Sequence, residues 1–319
     1  MTASATAERP ASGSRPRWSP AERRTLLWAL LFLSPWIIGF VIFTAGPMLW
    51  SLWLSFTNYD PLANRADFIG LDNYARMLED RRVALSLGNT LYFTVLYVPL
   101  SVILGLGLAM LLYGVGGRLA GLFRTAFYLP NVTPAVAVGT LFLLILNNPN
   151  GLLNQVLAAL HLPTPSWLND PDWIKNGIVL MMLWSIGGTV VILFAALRNV
   201  PQDLYEAATV DGAGPWQRLM NVTVPMISGA LFFVLVINTV ASLQLFSEVY
   251  TMFFGQRTGA SAAGESSALF YVVYLFRNAF EFFRMGYASA LGWLLFVIVA
   301  AITFVQFRLS RRFVFYEGE

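Results

Sequence analysis

The chain has 319 residues, of which 57% are hydrophobic and 12% charged, and its mean hydropathy is +0.64. So few charges cannot clothe a soluble globule of this size, which excludes a cytosolic domain and specifies an integral membrane protein. The net charge of +3 and the pI near 9.3 do not mark a nucleic-acid binder, because the basic residues stand at the ends of apolar runs and not in one patch.

Residues 1–24 are rich in Ala, Ser, Pro and Arg without apolar periodicity and read as a disordered cytosolic tail. The run Leu26 to Met48 that follows is too long for a signal-peptide core and reads as the first span, with Pro35 and Pro47 predicting local bends. A crossing helix needs roughly 20 mostly apolar residues, because every backbone amide must be satisfied inside its own segment. Five further charge-free runs meet that requirement: Leu87 to Tyr113, Ala126 to Leu146, Gly177 to Leu197, Met226 to Leu245 and Gly286 to Phe307. The expected fold class is therefore an all-α integral membrane protein with six transmembrane helices in a domain of residues 25–312, closed by a short tail of residues 313–319.

The loops between these runs fall into two sets. Arg118, Arg124, Arg198, Arg218, Arg308, Arg311 and Arg312 lie close to the spans on one side, together with the N-terminal tail, whereas most acidic residues, from Asp60 to Glu281, fall on the other. Lys and Arg near helix ends are retained in the cytoplasm, so both termini are expected there. On the outer side, Thr57 to Ser86 reads as a cap of short interfacial helices. Leu152, Val156, Leu157 and Leu160 share a helical face suited to the outer membrane surface, in a helix ending at Pro163 and Pro165. The Gly/Ser/Ala-rich piece 255–267 is expected to be mobile. The apolar run Ser266 to Phe276, bounded by Glu265 and Arg277, is half the length needed to span and reads as an interfacial helix.

Chemistry-bearing residues are scarce. The chain has no Cys and one His, His161, so neither thiol chemistry nor a metal site is supported. No paired carboxylates lie within the runs, which argues against a membrane-embedded enzyme and against the mid-membrane charges of ion-coupled transporters. What the runs contain is neutral polarity: Ser185 and Thr189 in the fourth, and Asn238, Thr239, Ser242 and Gln244 in the fifth. Asn238, Ser242 and Leu245 recur at helical spacing, as do Ser185 and Thr189. Such groups suit a sugar, whose hydroxyls both donate and accept, and they equally suit hydrogen bonding between helices.

The loop between the fourth and fifth runs, about residues 198–225, is the most informative segment. Pro201 and Asp203 open a helix over Gln202 to Asp211, and Gly212 supplies a turn that needs positive φ. A second helix, about Pro215 to Val222, leads to Pro225. The order Glu206-Ala207-Ala208, three residues ending in Asp211, Gly212, nine residues, then Val222-Thr223-Val224-Pro225 resembles the coupling loop of permeases in binding-protein-dependent ATP-binding-cassette importers. Both closing aliphatics are Val where that family usually has Ile and Leu. Phe68-Ile69-Gly70-Leu71-Asp72-Asn73-Tyr74, Gly88-Asn89-Thr90, Tyr128-Leu129-Pro130 and Trp167-Leu168 narrow the resemblance to the maltose and glycerol-phosphate type of sugar permease.

The resemblance implies a cell-membrane permease fed by an extracytoplasmic sugar-binding protein and paired with a second, homologous permease. Two ATPase subunits would drive it and hold ATP and Mg, with no cofactor on this chain, which has no Gly-x-x-x-x-Gly-Lys-Ser/Thr loop. It further implies that Glu206 makes an ionic contact with an ATPase, that Ala207 and Ala208 pack into its cleft, and that Asn238 and Ser242, with Ser185, Thr189 and Gln244, line the sugar path. The same loop also fits importers of polyamine, phosphate or amino acid, and an ion-coupled secondary transporter is a more distant alternative.

Overall fold

The structure, a computed structural model, describes residues 20–63, 65–115, 117–255 and 262–312. Most of the N-terminal tail, the C-terminal tail and the centre of the Gly/Ser/Ala-rich piece lie outside the described residues. The chain divides into two compact units, Met1–Trp53 and Leu54–Glu319.

In the first unit, α1 (Pro20–Phe40) passes through a π-helical turn, Val41–Ala45, into α2 (Gly46–Leu54). Together Arg24–Leu54 make a continuous helix of 31 residues, long and apolar enough to cross a membrane. Phe32 and Phe43, 80% and 81% exposed, stand among apolar side chains on every face, as on a span bathed in lipid. A proline removes one i→i−4 bond and crowds the carbonyl four residues back, and here the wide turn, closed by Gly46 N–H on the Val41 carbonyl, directly precedes Pro47. The device recurs before Pro225, where a π turn over Leu219–Thr223 is closed by Val224 N–H on the Leu219 carbonyl.

The second unit is built around α4 (Arg81–Val115), a helix of 35 residues that overshoots the expected run at both ends. Ahead of it lies α3 (Asp72–Glu79), the one helix described in the first outer loop, where interfacial helices were expected. Buried Asn73 ties that loop together by donating to the carbonyls of Ser55 and Thr57, both at 2.9 Å. Behind α4 follow α5 (Gly117–Val132), α6 (Ala135–Ile145), α7 (Leu152–Ala159), α8 (Pro171–Trp184) and α9 (Gly187–Arg198). After the polar loop come α10 (Gln202–Val210), α11 (Pro215–Arg218) and α12 (Val224–Met226), then α13 (Ser228–Leu243), α14 (Ser247–Phe253), α15 (Ala262–Ser267), α16 (Tyr271–Phe276) and α17 (Met285–Ser310). α4 packs against α9, α13 and α16, and α14 packs against α6.

The six apolar runs take two forms. Four are continuous helices: Arg24–Leu54, Arg81–Val115, Ser228–Phe253 and Met285–Ser310. The other two are bent pairs, each broken within its run. α5 and α6 meet at 98° and α8 and α9 at 49°. At the first break Pro134 has no N–H to continue the ladder and biases Thr133 away from the helical region. At the second, Ser185 closes α8 with its N–H on the Met182 carbonyl.

A second correction concerns Ser266 to Phe276. It is not an interfacial helix: it breaks between α15 and α16, and Ala268, Leu269, Phe270 and Tyr271 at the break are at most 1% exposed. Asn89 of α4 holds the open backbone there, donating to the carbonyls of Ser266 (2.7 Å) and Leu269 (3.1 Å), and Thr90 Oγ1 accepts from Tyr271 N–H. The charges that bounded the run neutralise each other, Arg277 donating to Glu265 at 2.9 Å and to Glu281 at 2.8 Å. On α7, Leu152, Val156 and Leu160 form the exposed apolar stripe, while Leu157 turns inward onto the core.

Candidate functional site: a capped polar loop and a cavity between broken helices

The polar loop presents α10 as a projection with no buried residue. Its end is a Schellman arrangement: Gly212 stands at φ +76°, its N–H bonds to the Thr209 carbonyl, and Ala213 N–H reaches back to the Ala208 carbonyl. The expected helix over Gln202 to Asp211 and the turn at Gly212 are thus present as local structure. The second helix is shorter than expected, α11 giving way to the π turn that absorbs Pro225. Three contacts hold the projection in place: Gln202 donates to Tyr113 Oη of α4, Tyr205 Oη and Thr223 Oγ1 are 3.0 Å apart, and Arg218 donates to Thr209 Oγ1. Glu206 and Ala207 are exposed, Ala208 is half-buried, and Asp211 is exposed beside the cap. Among the described residues Glu206 has no ion pair, and Val210 and Trp216 expose 88% and 68% of their surface nearby. A fixed, capped helix with an unpaired carboxylate and bare apolar side chains can be gripped by another protein.

A second feature lies among the spans. A cavity of about 480 Å³ is lined by Tyr97 of α4, by both helix breaks (Pro130, Asn131 and Thr133; Ser185, Ile186 and Gly188), by Thr189 of α9, by Ile237, Asn238 and Ala241 of α13, and by Glu248 of α14. Broken helices at membrane depth are tolerated where they line a cavity, since the freed backbone groups then find partners there. Ser185, Thr189 and Asn238 are brought together here. Both Nδ2 hydrogens of Asn238 are committed to neighbouring helices, one to Ser101 Oγ of α4 at 3.0 Å and one to Thr189 Oγ1 at 3.1 Å.

Ser242 and Gln244 do not line this cavity. Ser242 is 1% exposed and its Oγ lies within hydrogen-bond distance of Thr94 Oγ1 of α4 (3.0 Å) and of the Thr239 carbonyl (2.8 Å), so it joins α13 to α4. Gln244 is exposed at the C-terminal cap of α13. The spacing that puts Asn238, Ser242 and Leu245 on one face is real, but that face looks towards α4 and only its Asn238 end reaches open space.

Sequence reasoning missed Tyr97, Asn131 and Glu248. The expectation that the fifth span is free of charge fails at Glu248, because Ser228–Phe253 continues as a candidate span beyond the run that ended at Leu245. The available signal was the apolar periodicity of Val249, Met252 and Phe253, all at most 5% exposed, which carries the buried face past the acid.

Residues 101–315 match the family of binding-protein-dependent transport system inner membrane components. The chain is 36% identical to the probable ABC transporter permease protein YesP of Bacillus subtilis (strain 168), over 93% of this chain and 94% of that one. It is 34% identical to the lactose transport system permease protein LacF of Rhizobium radiobacter, over 88% and 93% of the two chains. Among solved structures, it resembles a chain of the bacterial alginate ABC transporter in complex with alginate pentasaccharide-bound periplasmic protein, with a TM-score of 0.74, 25% identity, and coverage of 91% of this chain and 96% of the other.

Proposed function

Since the chain belongs to the binding-protein-dependent transport system inner membrane components and is a permease of the ATP-binding-cassette sugar importer type, we propose that it imports a di- or oligosaccharide or sugar derivative. It would do so as one of two homologous permeases, each gripped by an ATPase subunit, with an extracytoplasmic binding protein delivering the sugar. Six crossings, with the two bent pairs each traversing the membrane once, put both termini and α10 on the cytoplasmic side.

The observation that carries this reading is α10 itself, an anchored helix on which Glu206 has no ion pair among the described residues and Val210 stays exposed. In such a complex the ATPases hold ATP and Mg, and their closure moves α10. Tyr205–Thr223 and Gln202–Tyr113 then pass that displacement to α13 and α4, the helices beside the cavity. Ser185, Thr189 and Asn238 would meet the sugar, while Ser242 keeps α13 on α4.

The test is reconstitution in liposomes of this chain with its partner permease, the ATPase pair and the binding protein. ATP-dependent accumulation of labelled sugar is expected. Accumulation driven by an ion gradient without the ATPase would overturn the reading in favour of a secondary transporter.

A further inference from the structure

This inference rests on the reading of the cavity as part of the sugar path and names the class of sugar it admits. We propose that Glu248 makes the cavity selective for neutral saccharides, its carboxylate accepting hydrogen bonds from adjacent sugar hydroxyls and turning away anionic sugars such as uronates.

Among the described residues Glu248 is the one charged residue lining the cavity, where its polar companions Asn131, Thr133, Ser185, Thr189 and Asn238 are all neutral. Among the described residues it has no ion pair, and it lies near enough to the Tyr97 hydroxyl to interact with it electrostatically. Its place on α14 is held by close packing: a Cβ on Gly139 of α6 would come within 3.0 Å of the Glu248 carbonyl oxygen, so the two backbones touch there.

An ionised carboxylate accepts and never donates, with about four lone-pair sites across its two oxygens. In a space bounded by helices it needs donors. Vicinal hydroxyls of a neutral sugar supply two in parallel. A uronate in the same place sets two like charges a few ångströms apart with no cation among the lining residues to offset them. At the effective dielectric of such sites that penalty is on the order of a tenfold loss of affinity or more.

The experiment uses the assembled permease–ATPase complex in nanodiscs without binding protein, so that the permease alone selects. Binding is measured by calorimetry against a panel of neutral di- and trisaccharides and against digalacturonate and trigalacturonate. The wild type is expected to bind a neutral member and reject the uronates. E248Q, which keeps one neutral acceptor oxygen in place of two charged ones, should weaken binding of the neutral sugar while admitting uronates at least tenfold better, so that discrimination between the two classes collapses. E248D, which keeps the charge and shortens its reach, should still reject uronates, and it stands in if E248Q does not assemble.

Unchanged discrimination in E248Q, or uronates bound by the wild type as tightly as neutral sugars, would overturn the proposal. If in that case N238A still weakens the neutral sugar, the cavity remains the path and only the role of Glu248 falls. If no saccharide of either class binds and neither N238A nor E248Q alters uptake, the cavity is not the path, and the proposal falls with it.

Discussion

Two residues of the polar loop bear different burdens. Gly212 stands at φ +76° with open space where a Cβ would be, so the obstacle to substitution is backbone conformation and not crowding. A non-glycine residue in that region costs roughly 1–2 kcal/mol, more when β-branched. Gly212→Val is expected to fray α10 and uncouple ATP hydrolysis from uptake, whereas Glu206→Ala is expected to leave the helix intact and, on the proposed reading, to remove a charge-assisted contact of about 1–3 kcal/mol with the ATPase. ATPase association and uptake in proteoliposomes check both, and wild-type coupling in each variant would remove the assignment.

In the cavity the residue-scale distinction is between Asn238 and Ser242. Asn238→Ala breaks bonds to Ser101 and Thr189 and also removes a group facing the cavity, so both uptake and the melting temperature of the complex should fall. Ser242→Ala loses the Thr94 bond inside a closed helix contact, worth about 0.5–1.5 kcal/mol, and should lower melting alone. Parallel uptake and melting measurements separate the two, and reduced sugar affinity in Ser242→Ala would restore that residue to the path.

Among the elements, Asp80 joins the start of α4 to α16 and α17. Its carboxylate accepts from Arg82 N–H at 2.9 Å, from Tyr274 Oη at 2.5 Å and from Tyr287 Oη at 2.8 Å. Burial pushes this carboxyl up, but the hydrogen bonds from the two tyrosines and the backbone outweigh it, leaving the group below its ordinary value of 3.8. A carboxylate held low when folded contributes stability that is complete above the unfolded value and is lost as pH falls through the lower folded value. Asp80→Asn should therefore melt below the wild type at pH 7, with the difference shrinking as pH falls below 3.8 through the lower folded value. A gap that stays constant across that window would show that the charge of Asp80 is not what joins these helices.

For the whole molecule the open quantity is how many times the chain crosses. Between Leu78 and Val210 lie α4 and the two bent pairs, so the side on which each position emerges reports whether a pair crosses or turns back. Single cysteines at Leu78, Leu162 and Val210, which are 90%, 50% and 88% exposed, suit this test because the native chain contains none. Six crossings predict that an impermeant thiol reagent labels Leu78→Cys and Leu162→Cys in intact cells, and Val210→Cys only after permeabilisation. Labelling of Leu78 and Val210 from the same side would mean that one bent pair is re-entrant, and Leu162 tells which.

The existence and approximate length of each apolar segment were legible from residues alone. Lipid offers no partner to a backbone amide, so a charge-free run of this length has to be helical wherever its neighbours lie. The same holds for the Gly212 cap, which is decided within six residues. The breaks were only half written: Pro130 and Pro134 signal a bend within Ala126 to Leu146, but its 98° angle depends on what the chain packs against.

Other features belong to the tertiary structure alone. Residues 268–271 sit in the core and off the membrane surface because Asn89 and Thr90, some 180 positions earlier, satisfy their open backbone. Ser242 binds helices while Asn238 reaches a cavity, although one helical turn separates them, because Thr94 closes over the first and the α8–α9 break opens beside the second. Glu248 read as a loop acid and became a cavity residue once α14 packed on α6. Local sequence determines backbone state through short-range sterics and solvation, whereas whether a polar side chain meets a helix or an opening depends on partners brought together only by folding.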